Sequence, residues 1–473
     1  MLRKIRIVLA VVFFVGITLL FLGIGHDGWG WMAKLQFLPS ALALNFAVVA
    51  GILLVTFLFG RIYCSVICPM GVFQDLVLWI RRTGGKWFRK PKHFSYVREH
   101  KGVRYGVLVL SLVSLVASGQ MLIALIAPYS AYGRMVRSVA GLTSGSVALP
   151  LLVTGLVTLV VIFCCAWLWG REYCNTICPV GTILSLVSRF SLFRPVIDAD
   201  KCKNCKACER ACKASCIDVA NHRIDQSRCV DCFDCLGSCK FDALHYRRAA
   251  GGKETPVREG ASGAAKADGG RRAFLATTAF AGAALAAHAQ DHMHGGFAEV
   301  LPKRNPERDT RLVPFGAGSV RSFYDHCTAC QLCVSACPNG VLRPSSDFGH
   351  FLQPEMGYEN GYCRPECTAC SEVCPAGAIR PVAPGQKQTI QIGRARVDLA
   401  LCFAAQGKED CGNCAYHCPT GAIRMVESAD SGYKIPAVAE AHCIGCGACE
   451  NLCPSRPVSA ITVHGIPVHH SNA

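Results

Sequence analysis

The chain has 473 residues, 51% of them hydrophobic, with 31 cysteines and a formal net charge of +17. That length accommodates about three domains, and a mean hydropathy of +0.31 excludes an all-soluble protein with this many loops. Disulfides replace a core in small secreted scaffolds; here the cysteines recur in tight, repeated spacings, which points to metal ligation. Nucleic acid is excluded as the partner behind the positive charge, because no nucleic-acid motif accompanies it.

In chain order, residues 1–195 read as a membrane domain. Four apolar stretches, Ile7–Gly23, Leu42–Phe59, Gly106–Ala127 and Val147–Trp169, read as long enough to cross a bilayer, which takes ~20 residues of helix. The loop after the second holds the densest basic block, from Arg81 to Arg104, whereas the first loop sets only Lys34 against Asp27. Positive charge is retained on the cytoplasmic side, so both ends of this unit are expected there, in a cytoplasmic (inner) membrane. The domain also repeats itself. Gly60-Arg61-Ile62-Tyr63-Cys64-Ser65-Val66-Ile67-Cys68-Pro69-Met70-Gly71 matches Gly170-Arg171-Glu172-Tyr173-Cys174-Asn175-Thr176-Ile177-Cys178-Pro179-Val180-Gly181 at an offset of 110 residues (174 − 64). A duplicated two-helix hairpin brings Cys64, Cys68, Cys174 and Cys178 to one depth. An extra cluster, a redox thiol pair, a docking surface and plain packing all remain open for them. Cys164, Cys165 and Cys216 have no partner run and read as small buried hydrophobes.

Residues 196–247 carry Cys202, Cys205, Cys208 and Cys212, then Cys229, Cys232, Cys235 and Cys239. Each run reads C-x2-C-x2-C-x3-C, the bacterial two-cluster ferredoxin pattern, in which the fourth cysteine ligates the other cluster. One cluster therefore takes Cys202, Cys205, Cys208 and Cys239, and its neighbour Cys229, Cys232, Cys235 and Cys212. Lys213 and Lys240 stand where proline usually follows the fourth cysteine.

Residues 248–270 form a Gly/Ala/Lys-rich linker. Residues 271–289 open on Arg271-Arg272-Ala273-Phe274-Leu275 and close on Ala287-His288-Ala289, which suits a twin-arginine export signal or a fifth span. Residues 290–473 hold four more runs: Cys327, Cys330, Cys333 and Cys337; Cys363, Cys367, Cys370 and Cys374; Cys402, Cys411, Cys414 and Cys418; and Cys443, Cys446, Cys449 and Cys453. Proline follows each, and the middle two have longer first gaps of three and eight residues. Structural zinc sites use two CxxC pairs separated by a longer loop, which is not this arrangement. Iron, held in clusters, is the metal expected. Spacing leaves the pairing of these four runs open.

The expected fold is thus a membrane α-helical four-span bundle plus α+β bacterial ferredoxin-like domains, one two-cluster and one four-cluster, with about six 4Fe-4S clusters in all. Residues 1 to about 247, with both Cys-x3-Cys-Pro motifs, resemble NapH-type proteins; residues from about 270 onward, an export-like signal followed by four ferredoxin runs, resemble NapG-type proteins. The chain looks like a fusion of the two. The resemblance implies the electron-transfer component of a quinol dehydrogenase, passing electrons from menaquinol or ubiquinol in the quinone pool to a periplasmic cytochrome or reductase. It places the first ferredoxin domain in the cytoplasm and the second in the periplasm, and it favours pairing the outer runs with each other and the inner runs with each other. Tyr63, Tyr173, Glu172 and Asp75 are candidate proton acceptors for quinol, with Arg61 and Arg171 as polar anchors. Two other functions stay open: a maturation reductase for a partner metalloenzyme, with the Cys-x3-Cys-Pro thiols at work, and a ferredoxin-fed relay that never touches quinone. No dinucleotide fingerprint supports direct use of NAD or flavin.

Overall fold

The computed structural model describes residues 2–83, 94–116, 120–144, 149–248, 301–428 and 432–471. Apart from Arg248, the expected linker and export-like segment lie outside the described residues. The N-terminal half is helical: α1 (Leu2–Phe21), α2 (His26–Lys34), α3 (Phe37–Leu42), α4 (Phe46–Phe59), α5 (Tyr63–Val66), α6 (Pro69–Thr83), α7 (Lys101–Val116), α8 (Gln120–Ile126), α9 (Pro128–Ser144), α10 (Leu149–Trp169) and α11 (Pro179–Ser188), with one π-helical turn at Tyr173–Ile177.

Among the described residues, α1 and α10 are long and apolar enough to cross a membrane. The second expected span is shorter than its sequence suggests. Asn45 caps α4 by accepting from the Val48 N–H at 3.4 Å, which leaves a helix of 14 residues. The third is described as α7 and α8, two shorter helices. Each of α1, α4, α7 and α10 leaves one face bare. Val8, Val12, Leu54, Val109, Val113, Val157 and Val161 are all exposed, Val8 to 62%. Water penalises extensive exposed apolar surface.

The two ferredoxin regions sit at opposite ends of α1. At its start, Arg3 pairs with Asp234 at 2.8 Å. At its end, a Cβ on Gly23 would lie 3.1 Å from the Ser335 carbonyl, and a Cβ on Gly133 would meet both the Phe21 ring and the Cys330 carbonyl. From residue 3 to residue 23 an α-helical rise spans ~30 Å.

The first region is framed by β1 (Phe193–Ile197) antiparallel to β4 (Leu244–Arg248), with β2 (Ile217–Asp218) and β3 (Arg223–Ile224) inside. In the second, β5 (Leu342–Pro344) pairs with β6 (Pro354–Met356). β7 (Ile390–Val397) pairs with β10 (Ile461–Ser471) around the hairpin of β8 (Ile423–Glu427) and β9 (Lys434–Val438). Residues 390–471 thus repeat the frame of residues 193–248, an outer strand pair around an inner one.

The duplicated motif is built alike in both copies. Gly60 and Gly170 end α4 and α10 at φ 81° and 74°, where a side chain is strained. Pro69 and Pro179 open α6 and α11 at a position that tolerates proline. A Cβ on Gly71 would meet the Cys64 carbonyl and Arg171 Nη1; one on Gly181 would meet the Cys174 carbonyl and Arg61 Nη2. Gly71→Ala and Gly181→Ala are each expected to cost about 1–3 kcal/mol through overpacking, whereas Gly102→Ala, in helix α7 and facing open space, is expected to leave stability unchanged or raise it. Thermal unfolding of the detergent-solubilised protein compares the three.

Candidate metal centres

Six sets of four thiols come together, and the chain order of the runs explains each. In the first ferredoxin region one cavity is walled by Cys202, Cys205, Cys208 and Cys239. A second is walled by Cys212, Cys229, Cys232 and Cys235. These are the two sets that the spacing pairs. In the second region, one cavity gathers Cys363, Cys367 and Cys370 with Cys337; another gathers Cys402, Cys411 and Cys414 with Cys453. Cys374 lies within electrostatic reach of Cys327, Cys330 and Cys333. Cys418 lies likewise near Cys443 and Cys446. Each fourth cysteine therefore crosses to its sequence neighbour: the first run exchanges with the second and the third with the fourth. This corrects the outer-with-outer pairing favoured by resemblance. The physical reason is chain length: a helix of five residues, such as Leu332–Ala336, carries the fourth thiol only as far as the adjacent loop.

The residues present fit iron–sulfur clusters. In the four regular runs, the residues flanking the second cysteine are left-handed. They are Asn204 and Lys206, Asp231 and Phe233, Ala329 and Gln331, and Gly445 and Gly447, at φ between 48° and 80°. Alternating handedness curls successive N–H groups into a nest that favours anions, here the cluster sulfurs. Burial pushes the Cys414 thiol up to about 11 and the Cys330 thiol up to about 12, so these groups ionise only with a metal's help. Among the described residues no three His, Cys, Asp or Glu side chains converge tightly enough for a single ion.

The sets adjoin one another. Cys208 lies within electrostatic reach of Cys235. The Cys363 N–H donates to the Cys446 carbonyl at 2.9 Å, and Cys449 couples to Cys414.

The roles of three residues escaped sequence reasoning. Lys213, in the usual proline position, is buried and pairs with Asp234 at 2.9 Å and Asp75 at 3.3 Å, docking the first ferredoxin region on the helices. Cys216 is buried with its Sγ 3.5 Å from that of Cys212, a fifth thiol in the second cavity. Lys387 donates to Cys363 Sγ at 3.2 Å and to the Arg364 and Cys367 carbonyls. The unusual residue after Cys212 was a signal for Lys213; nothing in the spacing marks Lys387. Cys164, expected buried, is exposed on α10.

The candidate quinol groups are engaged in the fold. Tyr63 Oη donates to Gln36 Oε1 at 3.1 Å and Tyr173 Oη to the Ile126 carbonyl at 2.7 Å. Glu172 accepts from Thr176 at 2.6 Å. Burial opposes the ionisation of Asp75, but Arg171, Lys213 and Arg6 outweigh it and hold the carboxyl well below the usual range. Arg61 and Arg171 are fully buried.

Two families match. A 4Fe-4S binding domain covers residues 42–91 and 151–197, the two copies of the internal repeat. A 4Fe-4S dicluster domain covers residues 326–378 and 409–456, each match spanning adjacent runs. The ferredoxin-type protein NapH of Haemophilus influenzae is 32% identical over 205 residues, 43% of this chain and 64% of that protein. The methylamine utilization ferredoxin-type protein MauN of Paracoccus denitrificans is 30% identical over 186 residues, 39% of this chain and 56% of that protein. An uncharacterized protein of Methanocaldococcus jannaschii is 29% identical over 195 residues, 41% of this chain and 67% of that protein. The chain is an iron–sulfur electron-transfer protein related to these NapH- and MauN-type ferredoxin proteins. No solved structure matches.

Two outcomes follow from the geometry. Cys374→Ser is expected to perturb the same cluster resonance as Cys327→Ser, and not the one lost in Cys411→Ser, when redox-poised samples are compared by electron paramagnetic resonance. Asp75→Asn leaves buried Arg6 and Arg171 without their carboxylate and Lys213 with Asp234 alone, and is expected to cost roughly 3–5 kcal/mol, read as a lower thermal midpoint in detergent.

Proposed function

We propose that the protein is a membrane-integral electron relay of the quinol dehydrogenase type, a NapH-type unit fused to a NapG-type one. Quinol in the membrane is the electron source and a periplasmic cytochrome or reductase the acceptor. The observation that carries this reading is the order of the molecule along α1: one ferredoxin region at its start, an apolar belt around its middle, and the other region at its end. A four-span membrane domain accounts for the bare faces of α1, α4, α7 and α10. The basic loop then sets the first ferredoxin region on the cytoplasmic side and the second on the periplasmic side.

The six cysteine sets would hold six 4Fe-4S clusters, each of which supplies one-electron redox chemistry when bound. The chain's own residues do the rest. Lys213, Asp234, Arg3 and Arg82 fix the first ferredoxin region against the helices. Burial of Cys327, Cys330, Cys333, Cys443, Cys446 and Cys449 keeps water from those thiols, and the nests of N–H groups favour the charged ligands. Lys387 sets a positive charge beside Cys363 and raises the reduction potential at that set.

The test is anaerobic. The membrane-extracted protein is oxidised, a menaquinol analogue is added, and cluster reduction is followed by electron paramagnetic resonance with iron measured in the same sample. Reduction with an iron content of at least ~24 per chain, four per set, is expected. Full iron content with no response to quinol removes the quinol reading and leaves a relay fed by another reductant.

A further inference from the structure

The twinned Cys-x3-Cys-Pro motifs lie outside the six sets, yet they occupy the space between the two ferredoxin regions. Their four thiols are each only 4% exposed, and electrostatic coupling links them all: Cys68 to Cys64 and Cys174, and Cys178 to all three. The motifs are locked reciprocally. Arg61 Nη2 donates to the Cys174 carbonyl at 3.1 Å, and Arg171 Nη1 donates to the Cys64 carbonyl at 2.8 Å. Each Cys-Pro turn directs a glycine N–H at its second thiol: Gly181 N lies 3.3 Å from Cys178 Sγ, and the Gly71 N–H is directed at the Cys68 thiol.

Charge around these thiols is unbalanced. The Arg61 side chain is fully buried, and its Nε has no partner. Among the described residues no carboxylate lies within ion-pair distance of its guanidinium, whose Nη2 stands 3.9 Å from Cys64 Sγ. Arg171 shares its one carboxylate, Asp75, with Arg6 and Lys213. Buried cations in excess need anions. Thiolates would supply them, and four neighbouring thiolates need a metal to hold them together.

We propose that Cys64, Cys68, Cys174 and Cys178 bind one further iron–sulfur cluster, shared between the two repeats, that bridges the two ferredoxin regions. Two thiols come from each copy, so neither hairpin holds the cluster alone. Its position serves a relay on both sides. Toward the first region, the Arg61 N–H donates to Asp231 Oδ2 at 2.9 Å, between Cys229 and Cys232, and Arg171 lies near both Cys174 and Cys232. Toward the second, Tyr129 lies within reach of Tyr63 on one side and of Cys330 and Cys374 on the other. Electron tunnelling decays exponentially with distance, so a separation of ~30 Å along α1 calls for an intermediate carrier. One electron enters from a reduced neighbouring cluster, which is thereby oxidised, and one leaves to the next; no bond or proton moves. Binding of the cluster stands by itself, whereas its bridging role rests on the relay reading above.

The experiment uses the full chain, purified anaerobically in detergent. Iron, acid-labile sulfide and zinc are counted in wild type, Cys68→Ser, Cys178→Ser, the double variant, and a Cys164→Ser/Cys165→Ser control. Wild type is expected to exceed the ~24 irons of six cubanes. Both single variants and the double variant lose the same increment, because one centre is shared, and they keep the six remaining resonances; the control loses nothing. Should the cysteine variants fail to fold, Arg61→Gln keeps all four thiols and is expected to lower the midpoint potential of the extra resonance. A wild-type count that stops at six clusters, zinc in place of the extra iron, or a disulfide between the motif thiols overturns the proposal. An extra cluster that is present and reducible, with no electron passing between the two regions, leaves the site standing and removes the bridge.

Discussion

Asp75 is the constraint on which the rest of the structure depends. One buried carboxylate on α6 accepts Arg6 from α1 at 2.7 Å, Arg171 from the second copy of the repeat at 2.8 Å, and Lys213 from the first ferredoxin region at 3.3 Å. Three segments distant in sequence are thereby fixed to one point. Buried ion pairs add little stability over apolar packing, but they penalise any arrangement that leaves a partner alone. The carboxylate thus specifies one mutual placement of helix, repeat and ferredoxin region.

The repeat converts that placement into symmetry. Each copy ends its apolar helix on a left-handed glycine and sends an arginine to the other copy's cysteine carbonyl. Each then turns at Cys-Pro into a helix whose third residue has no room for a side chain. The copies differ in what they present to the first ferredoxin region. Arg61 offers its N–H to Asp231, and Arg171 offers its N–H to the Lys213 carbonyl. A near-symmetric socket therefore receives an asymmetric domain in one orientation.

Much of this was legible in the sequence. The C-x2-C-x2-C-x3-C spacing encodes a local loop, so the first two thiol sets could be read from residue numbers alone. The repeat was visible because it preserves eight of twelve positions at fixed offset. The partners of Cys337, Cys374, Cys418 and Cys453 were not legible, because every run ends in the same way and only three-dimensional proximity tells neighbours apart. The apolar stretch Leu42–Phe59 misled on length: hydropathy counts residues, whereas Asn45 decides where the helix starts. Lys213 was noticed as a departure from pattern, yet its role needed Asp75 and Asp234, which lie far from it in the chain or beyond the first run.

Lys213 also changes what kind of carrier the first ferredoxin region is. A soluble ferredoxin commutes: it loads at one protein, diffuses, and unloads at another, and its traffic is limited by encounter. Here the lysine beside Cys212 is clamped between two carboxylates, and Arg3 and Arg82 hold the same Asp234. The region is soldered in place. Salt loosens the outer pairs of Arg3 and Arg82 but screens the buried Lys213 pairs far less, so the region stays seated while Cys205 remains exposed to what approaches from outside.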